Sequence, residues 1–168
     1  MILIALGSNL SSAAGSPAQT IAAALAALKP SGIALVKASR IYRSEAWPDA
    51  NDPPFANAVA EVTTALQPEA LLAALHGIEQ SFGRVRGTRN APRTLDLDIL
   101  DYAGRVEEGP TVLPHPRMEA RPFVLVPLAE IAPDWRHPIS GRTAGELLSE
   151  LRGAGRDVVP LSSADTPR

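Results

Sequence analysis

Apolar residues follow two rhythms along this chain. Ile2, Leu3, Ile4 and Leu6 form a short run that stops at Gly7, Ser8 and Asn9, the pattern of a buried strand ending in a turn. Ser16 and Pro17 mark a helix start, and Ile21, Leu25 and Leu28 then recur at helical spacing until Pro30 and Gly32 interrupt them. Residues 33–42 alternate in part around Ile33, Leu35 and Ile41, and residues 58–64 alternate around Val62, so both segments predict antiparallel strands. Pro68 opens a second helix with Leu71, Leu75, Ile78 and Phe82 on one stripe, Glu79 at its edge and Gly83 as its stop. "TLDLDILDY", residues 94–102, returns to a strand period, and residues 121–131 and 143–151 predict two further short helices.

The order β-α-β-β-α-β followed by helices predicts an α+β chain: a ferredoxin-like, mostly antiparallel sheet with helices on one face and an α-rich C-terminal extension. One domain over residues 1–160 and a flexible tail over 161–168 fit the length of 168 residues, with no internal repeat. The stretch "GAGRDVVPLSSADTPR" has little periodicity and reads as a tail that packs only in part. The segment "SEAWPDANDPPF" is too long for a tight hairpin and too apolar for a solvated linker, which favours contact with a ligand.

Composition narrows the function classes. The chain is 45% hydrophobic, 20% charged and 4% aromatic, with a formal net charge of -2. Such a balance suggests neither disorder nor a global nucleic-acid footprint, so any polyanion site must be local. The lack of cysteine removes thiolate catalysis and disulfides and fits a cytoplasmic location. The N-terminal apolar run lacks a basic flank and ends too soon for a signal peptide or a membrane-spanning helix.

The candidate chemistry concentrates in "RNAPRTLDLDIL", residues 89–100. On a strand, Asp96 and Asp98 face the same side, about 6.5 Å apart, while Leu95, Leu97 and Ile99 face the core. Carboxylates that close repel, and one takes up a proton unless a cation compensates; a magnesium ion shared with substrate phosphates is one such cation, and a solvated strand face is the alternative. Arg84, Arg86, Arg89 and Arg93 lie just upstream with no acidic residue among them. Guanidinium groups suit polyphosphate, although ion pairing with the aspartates would account for one of them, such as Arg93. Two prolines around His115 predict an extended backbone and an exposed ring, with Arg117 and Arg121 close behind. Asn57 is suited to the edge of a heterocycle, and Phe55 and Phe123 to its faces, against core packing as the plainer alternative. No glycine-rich phosphate cradle, kinase loop or dinucleotide fingerprint is found.

"GSNL", "FANAV", "IEQSFGRVR", "RNAPRTLDLDIL" and "LPHPRMEARPFVLVPLAEIAP", in this order and spacing, resemble the 6-hydroxymethyl-7,8-dihydropterin pyrophosphokinases of folate biosynthesis over almost the whole chain. The resemblance implies transfer of diphosphate from ATP to the pterin hydroxymethyl group, with release of AMP and two magnesium ions. It implies Asp96 and Asp98 as metal ligands, and Gly7, Ser44, Trp47, Phe55, Asn57 and Phe123 around the pterin. Glu79, Arg84, Arg93, Ile99, His115 and Arg121 then match positions that handle ATP, and Arg86 and Arg89 match a loop that closes over the reacting phosphates. Asn90 stands where some relatives carry tryptophan, and Phe55 where others carry tyrosine. The expected partners are small molecules, with no nucleic acid or membrane, and a monomer as the working unit. A metal-dependent phosphohydrolase and a ferredoxin-like RNA-binding module are the rival classes; sparse aromatics and the acidic strand pair count against the second.

Overall fold

The computed structural model describes residues 1–162 apart from Pro48, Arg86, Thr88, Arg89, Asn90, Arg152 and Ala154. Its chain order is β1 (Ile2–Ser8), α1 (Pro17–Ala27), β2 (Ile33–Ala38), β3 (Tyr42–Ser44), β4 (Phe55–Thr64), α2 (Pro68–Ser81), β5 (Asp96–Tyr102), α3 (Pro122–Ile131), α4 (Ala144–Glu150) and β6 (Val159–Pro160). Short 3-10 turns at Lys29–Ser31 and Met118–Ala120 complete it.

Local chemistry sets these boundaries. Ser16 Oγ accepts from Gln19 N at 3.3 Å while the Gln19 side chain accepts from Ser16 N at 2.8 Å, a reciprocal cap that starts α1. Thr143 and Glu146 repeat the device at α4. Gly32, at φ 78°, ends the turn after α1 in a conformation costly for residues with a Cβ.

The strands form one antiparallel sheet in the order β5-β1-β4-β3-β6, with β2 also paired to β4. The predicted single strand over 33–42 is therefore two, β2 and β3, laid end to end along β4. The break at Ser39 to Ile41 is a bend in which Ser39 Oγ accepts from Val59 N at 3.0 Å. β4 begins at Phe55, three residues before the predicted alternation, so Phe55 and Asn57 sit on a central strand rather than in a loop.

Helices α1 and α2 cover one face of the sheet, with Ile21, Leu28, Leu71 and Leu75 against Ile4, Leu6, Leu97 and Ile99. The ferredoxin-like expectation holds on that face. The C-terminal extension covers the opposite face, where Val124, Leu125, Leu128 and Leu147 bury Leu3, Val59 and Leu100. The sheet is thus sandwiched over the half that α3 and α4 reach.

The C-terminal stretch is more ordered than its composition suggested. Val158 is buried, Val159 and Pro160 add β6 to β3, and Leu161 N donates to Ile41 O at 2.8 Å while its side chain packs on the α1/α2 core. Leu161, the first residue of the expected tail over 161–168, is therefore packed into the fold; residues 163–168 lie outside the described residues. Among the described residues no helix is long and apolar enough to cross a membrane.

Candidate active site

The site follows from strand register. Gly7 on β1 pairs with Asn57 on β4 and with Asp96 on β5; one step along, Ala5 pairs with Val59 and Asp98. Residues opposite one another share a face, so the two smallest side chains of β1 lie between Asn57 and the aspartates. With strands about 4.8 Å apart, the trough from Asn57 to Asp96 is about 10 Å wide. A Cβ at Gly7 would touch Asn57 Oδ1 at 3.7 Å and Phe55 Cδ1 at 3.8 Å, which locates both groups over the bare backbone of Gly7. Asn57 Nδ2 donates to Ser44 Oγ at 2.8 Å in the buried interior, fixing the carboxamide so that Oδ1 is the end over Gly7.

The other wall is β5. Leu95, Leu97 and Ile99 are buried against α1 and α2, and Asp96 and Asp98 project from the opposite face, as alternation predicts. β5 is the sheet's edge, and two contacts close its open side. Glu79, buried on α2, accepts from Leu97 N at 2.8 Å, and His115 N donates to Leu100 O at 2.9 Å. Glu79, predicted at the nucleotide, is thus the clip that holds the aspartate-bearing strand. Ile99, also predicted there, is buried in the α1/α2 core and is not among the side chains on the aspartate face.

The two aspartates have different surroundings. Asp96 accepts from Arg84 Nη1 at 2.9 Å and from Arg93 Nη1 at 3.2 Å, and Arg84 Nη1 also reaches Leu95 O at 2.6 Å. Ion pairing therefore accounts for two of the four predicted arginines rather than one. Arg86 and Arg89 lie outside the described residues. Among the described residues, Asp98 has only long ion pairs, 3.8 Å to His115 Nε2 and 3.8 Å to Arg121 Nη1. Burial, with the neighbouring Asp96 charge, pushes the Asp98 carboxyl up to about 6.

His115 differs from its predicted exposed state: its side chain is 12% accessible, because the backbone bond to Leu100 holds the segment on β5. Its Nδ1 accepts from Arg117 N at 3.1 Å, which leaves the ring proton on Nε2, facing Asp98. Burial and the charges of Arg121 and Arg117 push the imidazole down to about 4, so it is neutral at physiological pH and donates through Nε2. Arg121 lies over the Phe123 ring and Arg93 over the Phe55 ring, each at 5.6 Å, so each of these rings is joined to a cation that also faces an aspartate of β5. Trp47, predicted to border the pocket, stands outward and is 74% exposed.

One residue that the sequence did not single out joins the two halves. Asn9, 3% exposed, donates from Nδ2 to Pro53 O at 3.1 Å and accepts at Oδ1 from Arg93 N at 2.8 Å. It ties the loop before Phe55 to the loop carrying the arginines. Its only signal in the sequence was its place in "GSN", directly after the strand.

The donor set suits a hard cation shared with an anion. Two carboxylates, one raised by the other's charge, offer oxygen ligands, and the buried Arg93 Nε makes no hydrogen bond among the described residues. No group of three or more His, Asp or Glu among the described residues could cage a metal alone. A magnesium ion completed by phosphate oxygens fits such a pair; an all-protein metal cage does not. Two shallow clefts of about 540 and 440 Å³ lie elsewhere, beside Lys29 and Ala34, and hold neither carboxylate nor arginine.

Comparison with known proteins gives the family of the chain. Residues 3–133 match the family described as 7,8-dihydro-6-hydroxymethylpterin-pyrophosphokinase. The chain is similar to the 2-amino-4-hydroxy-6-hydroxymethyldihydropteridine pyrophosphokinase of Pseudomonas aeruginosa, at 44% identity over 95% of this chain and 96% of the relative. With the Synechocystis protein of the same name it shares 46% identity over 71% of this chain and 62% of the relative. Among solved structures it superposes on an HPPK-DHPS protein crystallised with substrates, at a TM-score of 0.65 and 14% identity, covering 91% of this chain but 43% of that one. The wild-type HPPK-DHPS of Plasmodium falciparum gives 0.64 and 13%, covering 89% and 44%, so this chain spans less than half of those longer proteins.

Proposed function

The chain belongs to the 7,8-dihydro-6-hydroxymethylpterin-pyrophosphokinase family, diphosphotransferases of folate biosynthesis with ATP as co-substrate, and on that premise we propose how its trough divides the work. The pterin lies over Gly7, its edge donors meeting Asn57 Oδ1 and its faces meeting Phe55 and Phe123. The triphosphate lies along β5, between the aspartates and the cations Arg84, Arg93 and Arg121, with Arg86 and Arg89 assigned to closure over it. The carrying observation is the row Asn57, Gly7, Asp96, which puts a heterocycle site directly beside a carboxylate pair.

The pterin hydroxymethyl oxygen attacks the β-phosphorus of ATP, the new O–P bond forms as the hydroxyl proton passes to solvent, the bond from the β-phosphorus to the α,β-bridging oxygen breaks, and AMP departs with that oxygen. Asp96 and Asp98 would hold magnesium, two ions by family resemblance, which when bound neutralises polyphosphate charge and orients its oxygens. Neutral His115 donates a hydrogen bond from Nε2–H to a phosphate oxygen and keeps its proton. Arg93 supplies its unsatisfied Nε–H, and the remaining contribution is positioning of two substrates within one trough.

The test is a product assay. With magnesium and ATP, AMP forms when the hydroxymethyl pterin is present and in an amount equal to the pterin consumed. AMP or phosphate formed at the same rate without pterin would instead assign the carboxylate pair to a phosphohydrolase.

A further inference from the structure

The 3.8 Å gaps from Asp98 to Arg121 and His115 are too long for hydrogen bonds, so those groups do not themselves set their separation. His115 is tied to β5 through its backbone bond to Leu100 and holds the turn Met118–Ala120 in part, since Met118 N donates to His115 O at 3.2 Å, Arg121 Nη1 lies 3.4 Å from His115 Nε2, and Met118 is buried in the core. The loop between α3 and α4 adds a second hold from the other side, and from Asp134 on it lies past the residues matched by the family, 3–133.

Two struts leave this loop. Trp135 Nε1 donates to Asp101 Oδ2 at 2.8 Å in a buried contact, three residues along β5 from Asp98. Strict alternation would send Asp101 to the α1/α2 face; an irregularity in the β1–β5 register turns it toward Trp135 instead. The second strut is Ser140 Oγ, which donates to Glu119 Oε1 at 2.6 Å, two residues before Arg121. Buried His137 shapes the loop between them: its Nδ1 accepts from Ile139 N at 3.3 Å and Ser140 N at 3.2 Å, and its ring meets Trp135 edge-on at 5.9 Å. One compact loop thus grips β5 at one end and the Arg121 turn at the other.

We propose that the loop from Trp135 to Ser140 is a brace that sets the distance between the Asp98 carboxylate and the Arg121 guanidinium, with Ser140 and Glu119 as positioning residues for the nucleotide's phosphates. This rests on the assignment of Asp98 and Arg121 to the phosphate side. Phe123, although Arg121 lies over its ring, has a hold of its own, because α3 is anchored by its apolar face and by Glu130, which accepts from Tyr42 Oη at 2.5 Å. Loosening the brace therefore acts on nucleotide rather than pterin.

The experiment compares wild type, Ser140→Ala and Ser140→Thr in three readouts: thermal midpoint, KM for each substrate, and calorimetric binding of a magnesium-loaded ATP analogue with methylene in place of the α,β-bridging oxygen. Loss of one hydrogen bond to a charged acceptor predicts about tenfold weaker analogue binding and about tenfold higher ATP KM in Ser140→Ala. The pterin KM changes little, the midpoint stays close to wild type, and Ser140→Thr, which keeps the hydroxyl, restores binding. Equal losses for both substrates, analogue affinity unchanged in Ser140→Ala, or Ser140→Thr as weak as Ser140→Ala would overturn the brace. Failure of wild type itself to bind the analogue would instead overturn the assignment of the phosphate side.

Discussion

Gly7→Ala separates folding from function at one atom. The position has no positive φ, and an added Cβ meets Asn57 Oδ1 at 3.7 Å and Phe55 Cδ1 at 3.8 Å, both ordinary contact distances. The strand therefore accepts alanine, and lowering the entropy of the unfolded chain adds about 0.4–1 kcal/mol, a rise of about 1–4 °C in thermal midpoint for a chain of this size. The methyl group nevertheless fills the trough floor beside Asn57 Oδ1, where a ligand donor must approach. Denying a buried acceptor its partner costs about 1–3 kcal/mol, which is about 5- to 150-fold in pterin affinity. The assay is steady-state kinetics with each substrate varied in turn, beside a thermal melt: pterin KM should rise within that range while ATP KM holds and the midpoint does not fall. A midpoint lowered by several degrees would show that Gly7 serves the backbone, and an unchanged pterin KM would remove the pterin from the floor of this trough.

The other predictions concern the charged wall and the link between loops. Asp98 titrates near 6 in the folded protein against about 3.8 unfolded, so its contribution to stability is full below about 3.8 and lost as pH rises through about 6. Asp98→Asn should therefore leave metal-free stability at pH 7.5 equal or higher while turnover with magnesium falls by at least about a hundredfold; a melt and a rate assay on one preparation check both. In wild type, the proton on Asp98 competes with metal, so calorimetric affinity for magnesium-ATP should fall about fivefold from pH 6 to pH 5, and a flat profile would refute the assignment of Asp98 as ligand. Asn9→Asp keeps the acceptor for Arg93 N but replaces the donor to Pro53 O by a second acceptor. At pH 8 it should raise pterin KM more than ATP KM, whereas Asn9→Ala should raise both.

Much of this site was legible because strand alternation is a strong local rule. "TLDLDILDY" placed Asp96 and Asp98 on one face and Leu95, Leu97 and Ile99 on the other, and the fold keeps them there. What alternation could not show was which neighbours would share that face. The Asn57, Gly7 and Asp96 row depends on the register of three strands separated by up to 89 positions, and the double claim of Arg84 and Arg93 on Asp96 depends on where a loop returns. The break between β2 and β3 was hidden because Ser39 bonds to a backbone group twenty residues away. His115 was misjudged as exposed because prolines set local extension, not the surface onto which an extended segment folds. Glu79 fell at a stripe's edge in the helical pattern, and its task, satisfying Leu97 N at a sheet edge, belongs to tertiary structure alone.

Following both labels from ATP carrying phosphorus isotopes in its β- and γ-phosphates tests diphosphate transfer most directly. Incubated with magnesium and the hydroxymethyl pterin, the protein should deliver both labels to the pterin and leave AMP unlabelled. Transfer of the γ label alone, with formation of ADP, would contradict attack at the β-phosphorus and the arrangement of the trough built around it.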